Sequence, residues 1–214
     1  IPFYSDSSVG SMYTHDVSGT DNDAVGNTAY GFTALDAITT GDYNTTIGHN
    51  AGTSINSGNS NVLVGKNAGD ALTSGTNNIA IGYEALSSED THGLNVAIGH
   101  RALQDQNAGA DAYNVAVGYQ AGKEVTTGIK NTSIGARTMQ ATTVGQENVA
   151  LGYQAMYTNV DGSKCVAIGT NALLTQEPAS AVDMYNVAIG YNAGYAVTTG
   201  TKNIFIGGFA GDSQ

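Results

Sequence analysis

Asn78-Ile79-Ala80-Ile81-Gly82-Tyr83-Glu84-Ala85-Leu86 is the stretch from which the rest of the chain can be read. An Asn opens it, a β-branched–small–β-branched triplet follows, a Gly closes the triplet, and an Ala-Leu pair comes two residues later. The pattern returns as Asn44-Thr45-Thr46-Ile47-Gly48-His49-Asn50-Ala51-Gly52 and as Asn186-Val187-Ala188-Ile189-Gly190-Tyr191-Asn192-Ala193-Gly194. Its general form is Asn-x-small-aliphatic-Gly-x-x-Ala-(Gly/Leu/Met). The anchor glycines are Gly31, Gly48, Gly65, Gly82, Gly99, Gly118, Gly135, Gly152, Gly169, Gly190 and Gly207. They are 17 residues apart, except for 19 between Gly99 and Gly118 and 21 between Gly169 and Gly190. The extra residues fall around Asn107 to Asp111 and Glu177 to Asp183 and read as loops bulging from a regular coil. A second Gly stands seven residues before most anchors, at Gly41, Gly58, Gly75, Gly128, Gly145, Gly162 and Gly200. Asp6 to Gly10 reads as a degenerate further copy. Residues 1–26 are therefore an N-terminal segment and 27–214 the tandem repeats.

The segments between glycines are short and β-branched, and Gly interrupts them too often for helices. Short strands bounded by Gly, Asn and Ser fit. A period of 17 is too short for helical repeats or propeller blades. The expected fold is all-β: a β-solenoid with one 17-residue coil per repeat, two Gly-marked corners and two short segments per coil. At the usual strand spacing of about 4.8 Å, eleven coils give a body roughly 50 Å long.

Residues one and three before each anchor share a side of the strand. They are aliphatic in most copies, as in Ile79 and Ile81 or Val96 and Ile98, and form an aliphatic stack. The residue between them is small, as in Ala80, Ala97, Ala116, Ala150, Ala167 and Ala188. Small side chains on the opposite face suggest another backbone packing closely, as at a subunit contact; a thinly covered solvent face is the alternative. The opening Asn recurs at Asn27, Asn44, Asn61, Asn78, Asn95, Asn114, Asn131, Asn148, Asn186 and Asn203, with Cys165 in its place once. Asn tolerates turn conformations and can stack into a hydrogen-bonded ladder. One 17-residue coil encloses little core, so several chains, three most simply, are expected to share apolar faces, intertwined or side by side.

Composition narrows function. Gly contributes 29 of 214 residues, Pro only 2, and charged residues 12%. The net charge is −11 with 7 Lys plus Arg, too few for the basic patch that nucleic acid requires; attraction to anionic membranes fails for the same reason. No apolar run is long enough to span a membrane. A single cysteine excludes an intrachain disulfide. The opening Ile1-Pro2-Phe3 reads as a processed chain or a fragment.

Asn-Val-Ala-Ile-Gly-Tyr-x-Ala-Gly followed by Thr-Thr-Gly resembles the repeats of bacteriophage long tail-fibre proteins. It is also similar to the Ser-Val-Ala-Ile-Gly head repeats of trimeric autotransporter adhesins, whose period is shorter. The resemblance covers about residues 27 to 211 and is clearest in Tyr113 to Gly135 and Tyr185 to Gly207. It implies homotrimeric, extended rods, extracellular or on a virion surface, that attach to hosts. A C-terminal coiled coil and a chaperone domain, which often accompany such repeats, have no counterpart here.

No chemistry-bearing motif stands out. His49 and His100 share a repeat position but lie three coils apart, roughly 14 Å, too far to share zinc; His15 and His92 also read as surface residues. Asp16, Asp21 and Asp23 are a weak calcium candidate without the spaced carboxylates of a calcium loop. No nucleophile elbow or phosphate loop is present, and Cys165 in an Asn position reads as structural. Neither a catalytic site nor a cofactor is expected. Tyr83, Tyr119, Tyr153 and Tyr191 follow their anchors on alternate coils and form a candidate surface contact row about 10 Å apart, suited to sugars or subunits. The expected function is a structural fibre protein, the repeat shaft of a phage tail fibre or virion-surface rod in host attachment. Alternatives are a self-assembling extracellular filament or bacterial surface adhesin. A Thr-based ice-binding or glycan-binding array ranks lower, and a glycan depolymerase last. The expected partners are further copies, as a homotrimer or end to end, and cell-surface glycan.

Overall fold

The computed structural model describes residues 4–6, 11–14 and 23–212. It is a parallel β-solenoid of about eleven coils some 17 residues apart, with no helix among the described residues. Every coil contributes one three-residue strand to a single sheet. In chain order these are β3 (Thr28–Tyr30), β4 (Thr45–Ile47), β5 (Val62–Val64), β6 (Ile79–Ile81), β7 (Val96–Ile98), β8 (Val115–Val117), β9 (Thr132–Ile134), β10 (Val149–Leu151), β12 (Val166–Ile168), β14 (Val187–Ile189) and β15 (Ile204–Ile206). Neighbouring coils pair in parallel at the repeat register, Ile79 opposite Val96 and Ala80 opposite Ala97. The register holds across both long intervals, with Val96 opposite Val115 and Val166 opposite Val187. The inserted residues therefore leave the stack undisturbed. The expected second segment is a strand only at β11 (Gly162–Ser163) and β13 (Val182–Asp183), which pair with each other.

The sheet continues past the first full repeat at its N-terminal end. The strand that continues the sheet is β2 (Ser11–Tyr13), with Tyr13 opposite Ala29. Tyr13 is buried at the position that Ala holds in later coils. β1 (Tyr4–Asp6) then runs antiparallel along β2 and covers that edge.

Each coil closes by bending at four positions of positive φ. In one coil these are Asn77 (57°), Gly82 (141°), Glu84 (51°) and Leu86 (52°). Three are left-handed α positions that side-chain-bearing residues can occupy at a cost of about 1–2 kcal/mol. The fourth is different: φ near +140° is accessible essentially to Gly alone. It is also crowded, since a Cβ on Gly82 would lie 2.6 Å from the Gly99 carbonyl carbon. The anchor column is invariant because coil stacks on coil there with no gap.

The small residues prove to face the lumen, not another subunit and not solvent. Ala80, Ala97, Ala116, Ala150, Ala167 and Ala188 are fully buried. They pack with a second alanine column (Ala85, Ala102, Ala121) and with Leu86, Leu103, Met139, Met156 and Leu173, the last residues of the repeat motif. The reason is volume. A 17-residue coil encloses too narrow a lumen for two β-branched side chains per strand, whereas one Ala leaves room for a Leu or Met from across the coil. Beside most motifs that end in Gly, the strand supplies the bulk instead, whereas Gly122 meets Leu103 and Val125. Leu63 replaces Ala between Gly52 and Gly69, and a Cβ on either glycine would approach a Leu63 methyl to 2.8–2.9 Å. Phe205 does the same beside Gly194. Lumen volume is held nearly constant, as close-packed interiors require.

The Thr-Thr-Gly corner has its own hydrogen-bond logic. The N–H groups of Thr126, Thr127 and Gly128 all donate to the Thr143 carbonyl one coil on, at 3.0–3.2 Å. The Thr126 hydroxyl donates to the same oxygen. Thr39, Thr40 and Gly41 repeat this at the Asn56 carbonyl. In these two pairs the hydroxyl of the first Thr thus satisfies backbone.

Candidate interaction surface

The aliphatic residues displaced from the lumen line the outer face of the sheet. The column one residue before the anchors reads Tyr30, Ile47, Val64, Ile81, Ile98, Val117, Ile134, Leu151, Ile168, Ile189 and Ile206. The column three before reads Thr28, Thr45, Val62, Ile79, Val96, Val115, Thr132, Val149, Val166, Val187 and Ile204. No charged residue interrupts either column. Burial along the strands alternates, with a buried centre between two partly or fully exposed neighbours. Leu151 keeps 45% of its surface exposed and Ile47 41%. Two columns about 7 Å apart, widened to about 12 Å by the side chains themselves, give over roughly 50 Å a flat apolar strip on the order of 600 Å² in projection. That reaches the top of the range monomeric proteins expose.

Behind this face runs the asparagine column, fully buried at Asn27, Asn44, Asn61, Asn78, Asn95, Asn114, Asn148 and Asn186. Each amide joins one coil to the next through backbone. Asn61 Oδ1 accepts from the Asn78 N–H (2.9 Å), while Asn61 Nδ2 donates to the Gly75 carbonyl (2.8 Å). The same pair of bonds recurs at Asn44, Asn114, Asn131 and Asn148. Asn203 continues the column, its N–H donating to Asn186 Oδ1 (2.9 Å). The burial leaves these amides no contact with a glycan. Cys165 takes the Asn position in the column fully buried, accepting from Gln176 Nε2 at 3.4 Å. Burial pushes its thiol up from the ordinary value, which suits a structural thiol and opposes a nucleophile.

The tyrosine row is denser at one end than its spacing suggests. His100 lies between Tyr83 and Tyr119, stacked at ring-centroid distances of 5.1 and 5.2 Å. The row therefore does not alternate with non-aromatic residues there: an imidazole fills the gap. Phe32 and His49 stack likewise at 5.7 Å. Tyr191 meets Phe209 edge-on, and Tyr153 stands exposed without a ring neighbour in the adjacent coils, which carry Ala136 and Thr170. Both faces of His100 are covered by rings, so this part of the row offers edges rather than open faces to a sugar. Beside it, the Arg101 guanidinium donates to Glu84 Oε2 (2.8 Å). The Tyr83 hydroxyl and Arg101 hold the Glu84 carboxyl below its usual range.

Among the remaining candidates, Asp16, Asp21 and His15 lie outside the described residues, and Asp23 is exposed with its N–H donating to the Thr39 carbonyl. No helix among the described residues is long and apolar enough to cross a membrane. No protein-family model, curated protein or solved structure matches the chain.

Proposed function

We propose that the chain is a structural shaft module whose coils associate side by side with further copies, as a homotrimer, to build a rod of the tail-fibre or surface-adhesin kind. The observation that carries this reading is the two-column aliphatic face. It runs through eleven coils with no charged residue and with only Tyr30, Thr28, Thr45 and Thr132 departing from Ile, Val and Leu, and it is not needed to fill the lumen. A second copy is the occupant that suits it best. A partner with the same 17-residue spacing presents the same uncharged stripe over the same length. Stable interfaces bury about 800 Å² per partner, which a strip of this size approaches once flanking side chains join. The net charge of −11 lies off the stripe, where it favours solubility and resists wrong contacts. Placement outside the cell or on a particle surface, and a binding rather than catalytic role, follow from the tail-fibre resemblance.

Native mass measurement of the purified chain tests the reading. A trimer is expected, and the triple substitution Ile98→Thr, Val117→Thr, Ile134→Thr should yield a monomer with unchanged far-UV circular dichroism. A wild-type chain that stays monomeric at high micromolar concentration overturns it. Negative-stain images distinguish discrete trimeric rods from end-to-end filaments.

A further inference from the structure

We propose that Glu89, Asp90 and His92 form a divalent transition-metal site, of the kind that takes Zn²⁺, on the corner of the coil anchored at Gly82. One ligand atom from each residue lies within 4.8 Å of the other two. His92 Nδ1 is 3.6 Å from Glu89 Oε1, close to the edge of a zinc tetrahedron, about 3.4 Å for bonds near 2.1 Å. Two carboxylates and one imidazole suit zinc and its neighbours rather than calcium or magnesium, which take oxygen alone. His92 and Asp90 reach solvent, so water can complete the shell.

A buried orphan oxygen points to a ligand independently. Glu89 is fully buried, at a lumen position that other coils fill with Ile38, Ile55, Leu72 or Val125. Its Oε1 accepts from the His92 N–H (3.2 Å), but Oε2 has no hydrogen-bond partner. A buried carboxylate oxygen without a partner is costly. At this position Gln106 and Gln176 avoid that cost by bonding through both ends of their amides, whereas the Thr142 hydroxyl, which is neutral, is likewise buried without a partner.

The coil departs from the repeat at the ligands themselves. His92 stands where most other coils have the corner Gly, and its carbonyl still accepts the asparagine ladder from Asn78 Nδ2 (3.1 Å). A side chain is normally excluded there, since a Cβ on Gly145 would lie 2.5 Å from the Gly162 carbonyl oxygen of the next coil. The coil after His92 carries the first inserted loop, Asn107 to Asp111. The loop braces the corner: Asp111 Oδ1 accepts from the Gly93 N–H (3.1 Å). From the other side, Thr73 donates through both N–H and hydroxyl to the Asp90 carbonyl (2.6 and 2.9 Å). The ligands thus sit on backbone held from both neighbouring coils, the preorganisation a metal site needs.

Titration of the full chain with Zn²⁺ against a chromophoric chelator tests the site, with thermal melts in parallel. One saturable ion per chain and a raised melting temperature are expected. His92→Ala should weaken binding by roughly 100-fold or more, beyond the 10–100-fold that changes around a ligand shell usually cause. The double variant His49→Ala/His100→Ala should bind as wild type. Metal-free circular dichroism and melting curves of His92→Ala must match the wild type for the comparison; if they do not, Glu89→Gln, which is neutral and nearly isosteric, replaces it with the same expected loss. Absence of saturable binding, or saturable binding that survives His92→Ala or disappears only in the His49/His100 variant, overturns the proposal.

Discussion

Replacing Asn61 with alanine removes one rung of the buried column and leaves its two backbone partners in place. Asn61 Oδ1 accepts from the Asn78 N–H, and Nδ2 donates to the Gly75 carbonyl and to Asn44 Oδ1 (3.0 Å). Asn61 and Asn78 are fully buried. Neither the Asn78 N–H nor the Gly75 carbonyl has another protein partner to turn to. An orphaned buried group costs about 1–3 kcal/mol, so the expected loss is about 2–6 kcal/mol. For a chain of this size that lowers the melting temperature by roughly 4–24 °C. Chemical denaturation at fixed protein concentration is the assay, because association would otherwise shift the midpoint. Asn56→Ala is the control: Asn56 is exposed, its side chain accepts only from the Ser57 hydroxyl, and the change should stay within about 0.5 kcal/mol.

Asn61→Asp sharpens the same test. Only a protonated carboxyl can still donate to the Gly75 carbonyl, and burial also favours the neutral form. The folded-state value is therefore raised above the unfolded one. Stability is retained at low pH and lost as pH rises through the folded value. Asn61→Ala should show no such dependence. If Asn61→Ala costs less than about 1 kcal/mol, or Asn61→Asp tracks the wild type across pH, the column does not bind coil to coil as described.

Gly82→Ala places a Cβ 2.6 Å from the Gly99 carbonyl carbon at φ +141°. It should cost well over the roughly 1–3 kcal/mol of strained backbone alone and abolish soluble expression. Leu63→Ala empties the volume that Gly52 and Gly69 leave unfilled, and denaturation should report a loss of about 3–5 kcal/mol. Cys165 should resist a thiol reagent at pH 8 in the native chain and react stoichiometrically once unfolded, since it is buried with its thiol pushed up; rapid native labelling would contradict its placement. Burial also raises the Asp70 carboxyl, whose Oδ1 is buried without a hydrogen-bond partner. The neutral form is then the stabilising one, present below the ordinary carboxylate range and lost as pH rises through the folded value. Asp70→Asn should flatten that decline when stability is followed from pH 4 to 7.

Period, strand triplets and corner glycines were legible because each is a local rule. Val96-Ala97-Ile98-Gly99 can hardly be anything but a short strand ending at a Gly-only turn. The direction in which the triplet faces was not legible, because alternation assigns Val96 and Ile98 to one side without saying which side is the lumen. That depends on how much volume the coil encloses, which is a property of the closed loop. The clue lay later in the same motif: Ala102 and Leu103 must go somewhere, and only an alanine at the strand centre leaves room for them. The left-handed positions were hidden for another reason. Glu84, Leu86, Arg101 and Leu103 all have φ between 46° and 57°, where propensity favours Gly or Asn. Burial of Leu86 and Leu103 offsets the backbone cost, so tertiary packing overrides the local preference. His100 was missed as a ring neighbour because the row was read as tyrosine alone. The Glu89–His92 corner was invisible because its two residues replace an apolar position and a glycine that are unrelated in sequence logic.

The outer face then poses a question that the lumen cannot answer. Strand formation alone does not require Ile, Val or Leu there, since Thr28, Thr45 and Thr132 occupy the same sheet in the same register. Threonine has comparable β-propensity and would be content in water. Yet the column next to the anchors contains no threonine in any of eleven coils, and its one departure from Ile, Val and Leu is Tyr30. Packing inside a coil is satisfied by Ala, Leu and Met, and joining of coil to coil by Asn and backbone. Neither accounts for an apolar column that points away from both. What such a column gains is burial against something outside the chain, about 25 cal/mol for each Å² removed from water. A surface with the same 17-residue rhythm can collect that gain at every coil at once, and the chain itself is a surface of that kind.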